Sequence, residues 1–406
     1  MPLDREEGTF WLEVHCANCN GEDGIDKKPW NDRIDWVARN RSLIQDIAND
    51  PDGTFDKWRD VDSPFCFVAA CRELAAAWKD PNNFETHLPI GFDGSCNGLQ
   101  HLALIARDPE TAYMVNIGPN PDTGIWPHEP QDVYASIIAK VIELLNADDE
   151  PWARWWLRRF DELGAKKTRK LIKTPAMTYA YSATQGGMRD QIKDVYDGSN
   201  QPAFDESRPR GKRDGCSYLA GKVIQACASL LKAPTEVMNY IRMLTKHRMD
   251  RGLFLEWMTP SEFPVSNRYQ EPKFETVAIY RSGVRVVRHK FADGNKYKII
   301  KQKTLNSGPA NFVHSLDAAH LIRVVISALV HLIRDIITTH DCYYCLAPQA
   351  VLFNRIIRYE MSEMYRQLSD PLAYLRNRNV DHDIFPRRPY GALDPLAVNF
   401  SESAFA

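Results

Sequence analysis

Two aspartates stand where a charge is costly. Asp93 closes the largely apolar run Leu88 to Phe92 and is followed by Gly94, and Asp341 lies between two β-rich runs and follows His340. A hydrophobic strand that ends in a lone carboxylate puts charge at the edge of a buried sheet, where it needs water, a counter-charge or a cation. If the two runs are neighbouring strands, the carboxylates repel each other and divalent cations remove that repulsion. Two ions about 3.5–4 Å apart suit in-line displacement at phosphorus, one activating the attacking hydroxyl and one neutralising the leaving pyrophosphate. Magnesium fits such a pair because it takes few carboxylates and keeps waters and phosphates as its other ligands. An Asp before Gly is ordinarily just a turn residue, so the weight falls on what accompanies the pair.

A basic row accompanies it. Lys166, Arg169, Lys170 and Lys173 recur at i, i+3, i+4 and i+7 and share one helical face, with Tyr181 two turns further on. Rows of this kind are usually solvated faces, but a triphosphate needs such cations. Pro175 falls inside the helix predicted from about 165 to 181 and should kink it near Leu171, unless the helix begins later.

These residues need elements to hold them. The pattern predicts a loop over His15 to Lys28, an apolar stretch from Ser63 to Trp78, and the strand leading to Asp93. A helix is predicted over Asp132 to Ala147, with Val133, Ile137, Ile138, Val141, Leu144 and Leu145 on one face. An exposed loop is expected at Gln201 to Gly215, and a helix from Ser217 to Leu244 interrupted by Pro234. Phe263 to Lys301 reads as a basic β-hairpin turning at Ser282-Gly283. A helix over Ala310 to Ile333, a hairpin over Ile336 to Leu346 tipped by His340-Asp341, a helix over Leu352 to Leu368 and an irregular tail from Pro386 complete the reading.

The bulk numbers bound the classes. A chain of 406 residues suggests two or three lobes. A formal net charge of −2 excludes a polycation, so any nucleic-acid contact must come from local basic patches. Nine cysteines, an odd count, and an acidic start without an apolar core point to reduced thiols in the cytoplasm rather than to a secreted or imported protein. The apolar run Val324 to Ile333 is about half a membrane span, and no membrane partner is expected. Cys16-x-x-Cys19 and Cys342-x-x-Cys345 have zinc-like spacing, but the second pair lies in β-rich sequence, where i and i+3 point to opposite faces; buried free thiols are the better reading. Trp152, Trp155 and Trp156 are expected in the core, and His101 and His320 in packing or hydrogen-bonding roles.

Taken in order, the residues resemble a known family. Phe92 to His101 (FDGSCNGLQH) resembles the first palm motif of bacteriophage-type single-subunit DNA-dependent RNA polymerases, the family that includes mitochondrial RNA polymerase. Arg169, Lys173, Met177-Thr178, Tyr181 and Gly187 resemble its fingers-helix motif, His340-Asp341 its second palm motif, and PANFVHS at 309–315 with Asp317 and His320 the stretch before it. His15 to Cys19, Asp26-Lys27 and Asp62 to Phe67 resemble the entry to the palm, and Ala404-Phe405-Ala406 the C-terminal foot.

The resemblance implies an α+β right-hand polymerase fold, with an antiparallel palm sheet and large, mainly helical fingers. It assigns 1–121 to the first part of the palm, 122–313 to the fingers, with the basic helix at 165–181 and a promoter-reading hairpin at 263–301, and 314–406 to the second part of the palm and the foot. It implies that Asp93 and Asp341 ligate two Mg²⁺ ions, and that Lys173 contacts the triphosphate and gives a proton to pyrophosphate. Arg169 and Lys27 would bind phosphates, Tyr181 and His314 would select ribose over the nascent base pair, and His340 would support the primer terminus. The implied partners are a DNA template, nascent RNA and ribonucleoside triphosphates.

Three departures stand out. Ser182 replaces the glycine that usually follows the tyrosine, Pro175 sits in the fingers helix, and the N-terminal domain, the thumb and a D-x-x-G-R motif are not found. A separately encoded N-terminal half, a truncated inactive remnant and a DNA polymerase of the same hand are the alternatives that this leaves. Cys342 after Asp341, where a DNA polymerase would carry a carboxylate, speaks against the last.

Overall fold

The structure is a computed structural model that describes residues 5–81, 83–197, 211–368, 370–373, 375–376 and 390–405. In chain order the elements are α1 (Arg5–Asn20), α2 (Trp30–Arg39), α3 (Arg41–Asn49), α4 (Phe55–Trp58), α5 (Pro64–Lys79), β1 (Pro89–Asp93), α6 (Asn97–Ala106) and α7 (Pro109–Met114). There follow α8 (Val133–Asn146), α9 (Pro151–Tyr179), α10 (Gln185–Asp197), α11 (Gly211–Leu230), α12 (Lys232–Asp250), β2 (Glu256–Met258) and β3 (Pro264–Ser266). The last are β4 (Gln270–Arg281), β5 (Val284–Ile299), α13 (Lys301–Val330), β6 (Ile337–Thr339), β7 (Cys342–Leu346) and α14 (Ala350–Arg366), with 3₁₀ turns at Glu22–Lys27, Ala347–Gln349 and Pro395–Phe400.

The chain divides into two compact units. The first joins residues 1–133, 317–369 and 390–406; the second joins 134–316 and 370–389.

In the first unit a three-stranded antiparallel sheet runs β1-β7-β6. Burial alternates along β1, with Ile90 and Phe92 inside and Asp93 exposed at the end. Phe92 packs edge-on against Trp11 of α1. Gly91 faces Tyr344 across the sheet, and a Cβ at that position would lie 2.5 Å from the tyrosine ring, so the strand needs glycine there. Behind the sheet lies a cluster of buried polar side chains. The His320 ring donates through Nε2–H to the Ile357 carbonyl at 2.9 Å, and Tyr343 donates its hydroxyl to His320 Nδ1 at 3.0 Å. His101 Nδ1 lies 2.7 Å from the Tyr365 hydroxyl. These contacts make His101 and His320 the packing and hydrogen-bonding residues expected of them.

In the second unit, Val133 aside, the α8 face buries Ile137, Val141 and Leu145 as the periodicity requires. Trp156 is fully buried and donates its indole N–H to the Gly215 carbonyl at 2.9 Å, while Trp152 and Trp155 are half-buried. β4 and β5 form the expected hairpin; Ser282 and Gly283 take φ of 51° and 79°, as a two-residue turn between twisted strands demands.

Several expectations change. His15 to Asn20 is helical, the end of α1, and the loop starts at Gly21, whose φ of 64° ends the helix. Gly211 to Gly215 begins α11 rather than closing an exposed loop, because both glycines are buried; 201–210 lies outside the described residues. The basic helix runs back to Pro151, and its break in helical φ/ψ falls at Gly164 (φ 72°, ψ 170°), a conformation suited to glycine. Pro175 is buried in a continuous helix that forgoes one backbone bond. The break between α11 and α12 is at Leu231, which leaves Pro234 in the first turn of α12, where its missing N–H costs nothing. α13 begins at Lys301, earlier than Ala310, and its length and composition would suffice to cross a membrane. That helix also carries the buried Asp317 and His320 and pairs Arg323 with Glu360 of α14 at 2.9 Å.

The buried histidines set an acid limit. Burial pushes His320 down to about 4 and His101 well below its ordinary value. A histidine held neutral in the fold contributes stability that is present above its unfolded pKa of about 6.5 and is lost as pH falls towards 4. His320 alone should cost about 3 kcal/mol across that range. Urea denaturation followed by tryptophan fluorescence should show a midpoint falling steadily below about pH 6.5; a flat midpoint down to pH 4 would contradict this.

Candidate active site

The sheet register brings the two aspartates together. Asp93, the last residue of β1, pairs with Cys342, the first of β7, and Asp341 immediately precedes it in the β6–β7 turn. Ligand atoms of Asp93, Asp341 and Cys342 all lie within 4.8 Å of one another. His340, at the turn's tip, takes φ 54° and is 85% exposed.

The floor of the site is built from the turn after Asp93. Gln100 of α6 is fully buried, and its side-chain amide nitrogen lies 3.1 Å from Ser95 Oγ, 3.1 Å from the Val115 carbonyl and 3.0 Å from the Ala404 carbonyl. Gly94 bridges to Phe405, and the Ser95 N–H donates to Ala404 at 3.3 Å. A Cβ on Gly94 would come 3.2 Å from Asp341 Oδ2, so glycine gives the carboxylate room. Asn97 donates to Asp317 Oδ1 at 2.7 Å, and Asp317 Oδ2 lies 4.0 Å from His340 Nδ1. Sequence reasoning gave no role to Asn97, Gln100 or Asp317; their signal was only that Asn97 and Gln100 sit at i and i+3 in one helical turn after the aspartate.

Electrostatics mark the site. Asp341 is pushed up to about 6, first by burial and then by Asp93; Asp317 adds to this, while its own backbone hydrogen bond and His340 oppose it. The Cys342 thiol is pushed up to about 12 by burial and by Asp93, to which it donates at 3.1 Å. Two carboxylates that resist ionising together, open on one side, are a donor set that fits a hard divalent cation.

Other candidates in the first unit lie apart from this cluster's bonds. Lys27 ends the first 3₁₀ turn, half-exposed, with its ammonium 3.2 Å from Asp26. Cys16, Cys19 and Cys345 are buried free thiols, as expected.

The second unit gathers the others. Lys166 and Lys170 are exposed on α9, and Arg169 and Lys173 are half-buried. Lys173 Nζ stands 5.1 Å from the centre of the Tyr134 ring. Tyr181 and His314 stack, with ring centres 4.4 Å apart and planes tilted by 32°. The turn that aims Tyr181 explains the family's glycine: Ser182 takes φ 62°, is buried, and donates its N–H to the Tyr179 carbonyl at 2.9 Å.

The chain thus carries a carboxylate pair at a sheet edge that could hold a metal ion, a basic helix and a stacked Tyr–His pair. Comparison with known proteins gives the family. The profile for DNA-dependent RNA polymerase matches residues 2–382, and the chain belongs to this bacteriophage-type family. T7 RNA polymerase of Escherichia phage T7 is 27% identical over 99% of this chain and 49% of its own length. The chloroplastic DNA-directed RNA polymerase 3 of Nicotiana sylvestris is 30% identical over 93% of this chain and 37% of its own. The human mitochondrial DNA-directed RNA polymerase is 27% identical over 91% of this chain and 29% of its own. The chain thus spans about half, or less, of the length of these relatives.

Two substitutions probe this geometry. An aspartate whose pKa is raised in the fold contributes stability present at low pH and lost as pH rises from about 4 to about 6. In metal-free buffer Asp341→Asn should therefore stabilise the protein by about 1–2 kcal/mol at neutral pH and not at pH 4, after allowance for solvent screening; equal effects at both pH values would refute the raised pKa of Asp341. Ser182→Gly should relieve left-handed backbone strain and raise stability by about 0.5–1 kcal/mol, read as a higher melting temperature.

Proposed function

We propose that this protein synthesises RNA on a DNA template, transferring a nucleoside monophosphate from a ribonucleoside triphosphate to an RNA 3′-hydroxyl and releasing pyrophosphate. The observation that carries the reading is the pairing of Asp93 with Cys342, which holds the Asp93 and Asp341 side chains within 4.8 Å in a chain of this family. The first unit reads as the palm and the second as the fingers.

Asp93 and Asp341 would hold two Mg²⁺ ions. When bound, these supply Lewis-acid stabilisation of the attacking and leaving oxygens. The remaining roles belong to side chains. Lys173, Arg169 and Lys27 bind the triphosphate, and Lys173 delivers a proton to the departing pyrophosphate. Tyr181 and His314 present one stacked surface to the sugar and base of the incoming nucleotide, and the stack supports their joint role in choosing ribose. His340, exposed beside Asp317, supports the primer terminus. The β4–β5 hairpin reads duplex DNA.

The test is extension of an RNA primer on a DNA template with ribo- or deoxyribonucleotides in magnesium. The intact chain should extend with ribonucleotides. Asp93→Ala and Asp341→Ala should each lose more than about 1,000-fold in rate, as removal of several kcal/mol of metal stabilisation requires. Tyr181→Phe should lower the preference for ribo- over deoxyribonucleotides by about tenfold. Failure of the wild-type chain to extend a primer under any of these conditions overturns the reading.

A further inference from the structure

The thiol of Cys342 belongs to the acidic cluster rather than to the core. Cys342 is half-exposed on β7, whereas Cys345 on the opposite face is buried. Its Sγ lies 3.1 Å from Asp93 Oδ1, and the three ligand atoms of Asp93, Asp341 and Cys342 lie within 4.8 Å of one another. Around a tetrahedral zinc ion, with bonds of about 2.3 Å to sulfur and about 2.0 Å to oxygen, sulfur and oxygen ligands stand about 3.5 Å apart and two oxygens about 3.3 Å apart. The cluster therefore meets this geometry with side-chain adjustments of up to about 1.5 Å.

A second observation points to a ligand in the same place. The side-chain amide nitrogen of Gln100 faces three acceptors, so its orientation is fixed and its oxygen must point the other way. That oxygen is fully buried and has no hydrogen-bond partner among the described residues. It lies 3.3 Å from the point where a Gly94 Cβ would stand, and Asp341 Oδ2 lies 3.2 Å from the same point. A buried acceptor aimed at the space beside the carboxylate calls for a donor there, and the polarised water of a bound cation is such a donor.

We propose that Asp93, Asp341 and Cys342 form a site for a thiophilic divalent cation of the zinc and cadmium class, and that such an ion displaces the hard cation and arrests the reaction. The inhibitory half of this inference rests on the polymerase reading; the binding half does not. Hard cations take oxygen ligands, and a thiolate favours softer ones. When the ion binds, one metal–sulfur bond forms and the thiol proton leaves to solvent, so binding releases a proton and consumes no oxidant. The fourth position of the tetrahedron remains for water, as in a site that keeps one ligand exchangeable.

The test uses cadmium, whose thiolate bond gives an ultraviolet charge-transfer band. Titrating the full chain should give a band that falls by one thiolate equivalent in Cys342→Ser, which isolates this thiol from the other eight cysteines. Asp93→Asn, which keeps all nine thiols, should weaken binding at the Cys342-dependent band by about tenfold or more. In primer extension, inhibition is read against each variant's own rate in magnesium. Cadmium should inhibit the wild type at concentrations at least about tenfold below those needed for Cys342→Ser. A band that Cys342→Ser leaves unchanged, or one indifferent to Asp93→Asn, overturns the site and leaves the polymerase reading intact. Cadmium binding at this site in a chain that extends no primer would overturn the polymerase reading and the inhibition while leaving the site.

Discussion

Like charges held together are the constraint on which the first unit is built. Asp93 and Asp341 come from segments far apart in sequence, and nothing in their own chemistry favours their meeting. Backbone hydrogen bonds between β1 and β7 impose the approach, and the apolar faces beneath supply the free energy to sustain it. Each neighbouring feature reads as a consequence. Gly91 lets the Tyr344 ring cross the strand, Gly94 makes space for a carboxylate, and Gln100 gathers three acceptors so that the turn after Asp93 cannot drift.

The two units divide the electrostatic labour. The first places two carboxylates together at a sheet edge, and the second carries the cationic face of α9 with the stacked Tyr181 and His314. The overall formal charge is −2 although such local excesses exist, and so bulk charge carries little information about partners. Local strain accompanies function in both units. His340 and Ser182, neither of them glycine, both take left-handed φ beside residues with proposed roles.

Much of this could be read from the chain. The strand ending at Asp93, the hairpin tipped by His340-Asp341 and the amphipathic α8 follow from short-period patterns, and the motif residues carried the family. Patterns failed where tertiary burial outweighs local propensity. Gly211 and Gly215 look like loop residues but lie buried in α11, and Gly164 rather than Pro175 breaks the basic helix because a positive φ interrupts helical geometry whereas one missing N–H does not. The Asn97–Asp317 bond and the triple anchorage of Gln100 were illegible, since each joins residues whose separation in sequence is set only by the finished fold. Strand alternation argued against a zinc pair of Cys342 with Cys345 and for buried free thiols; Cys345 is buried, but Cys342 is half-exposed beside Asp93.

Phe405 is wholly buried against His320 and Tyr343, and its backbone closes on Gly94. The turn that holds Asp93 is thus closed by a residue hundreds of positions further along the sequence. Contacts of such long sequence separation are slow to form, so support for the acidic pair comes late in folding. Removal of Phe405 would therefore leave the turn after Asp93 without its closing strand partner.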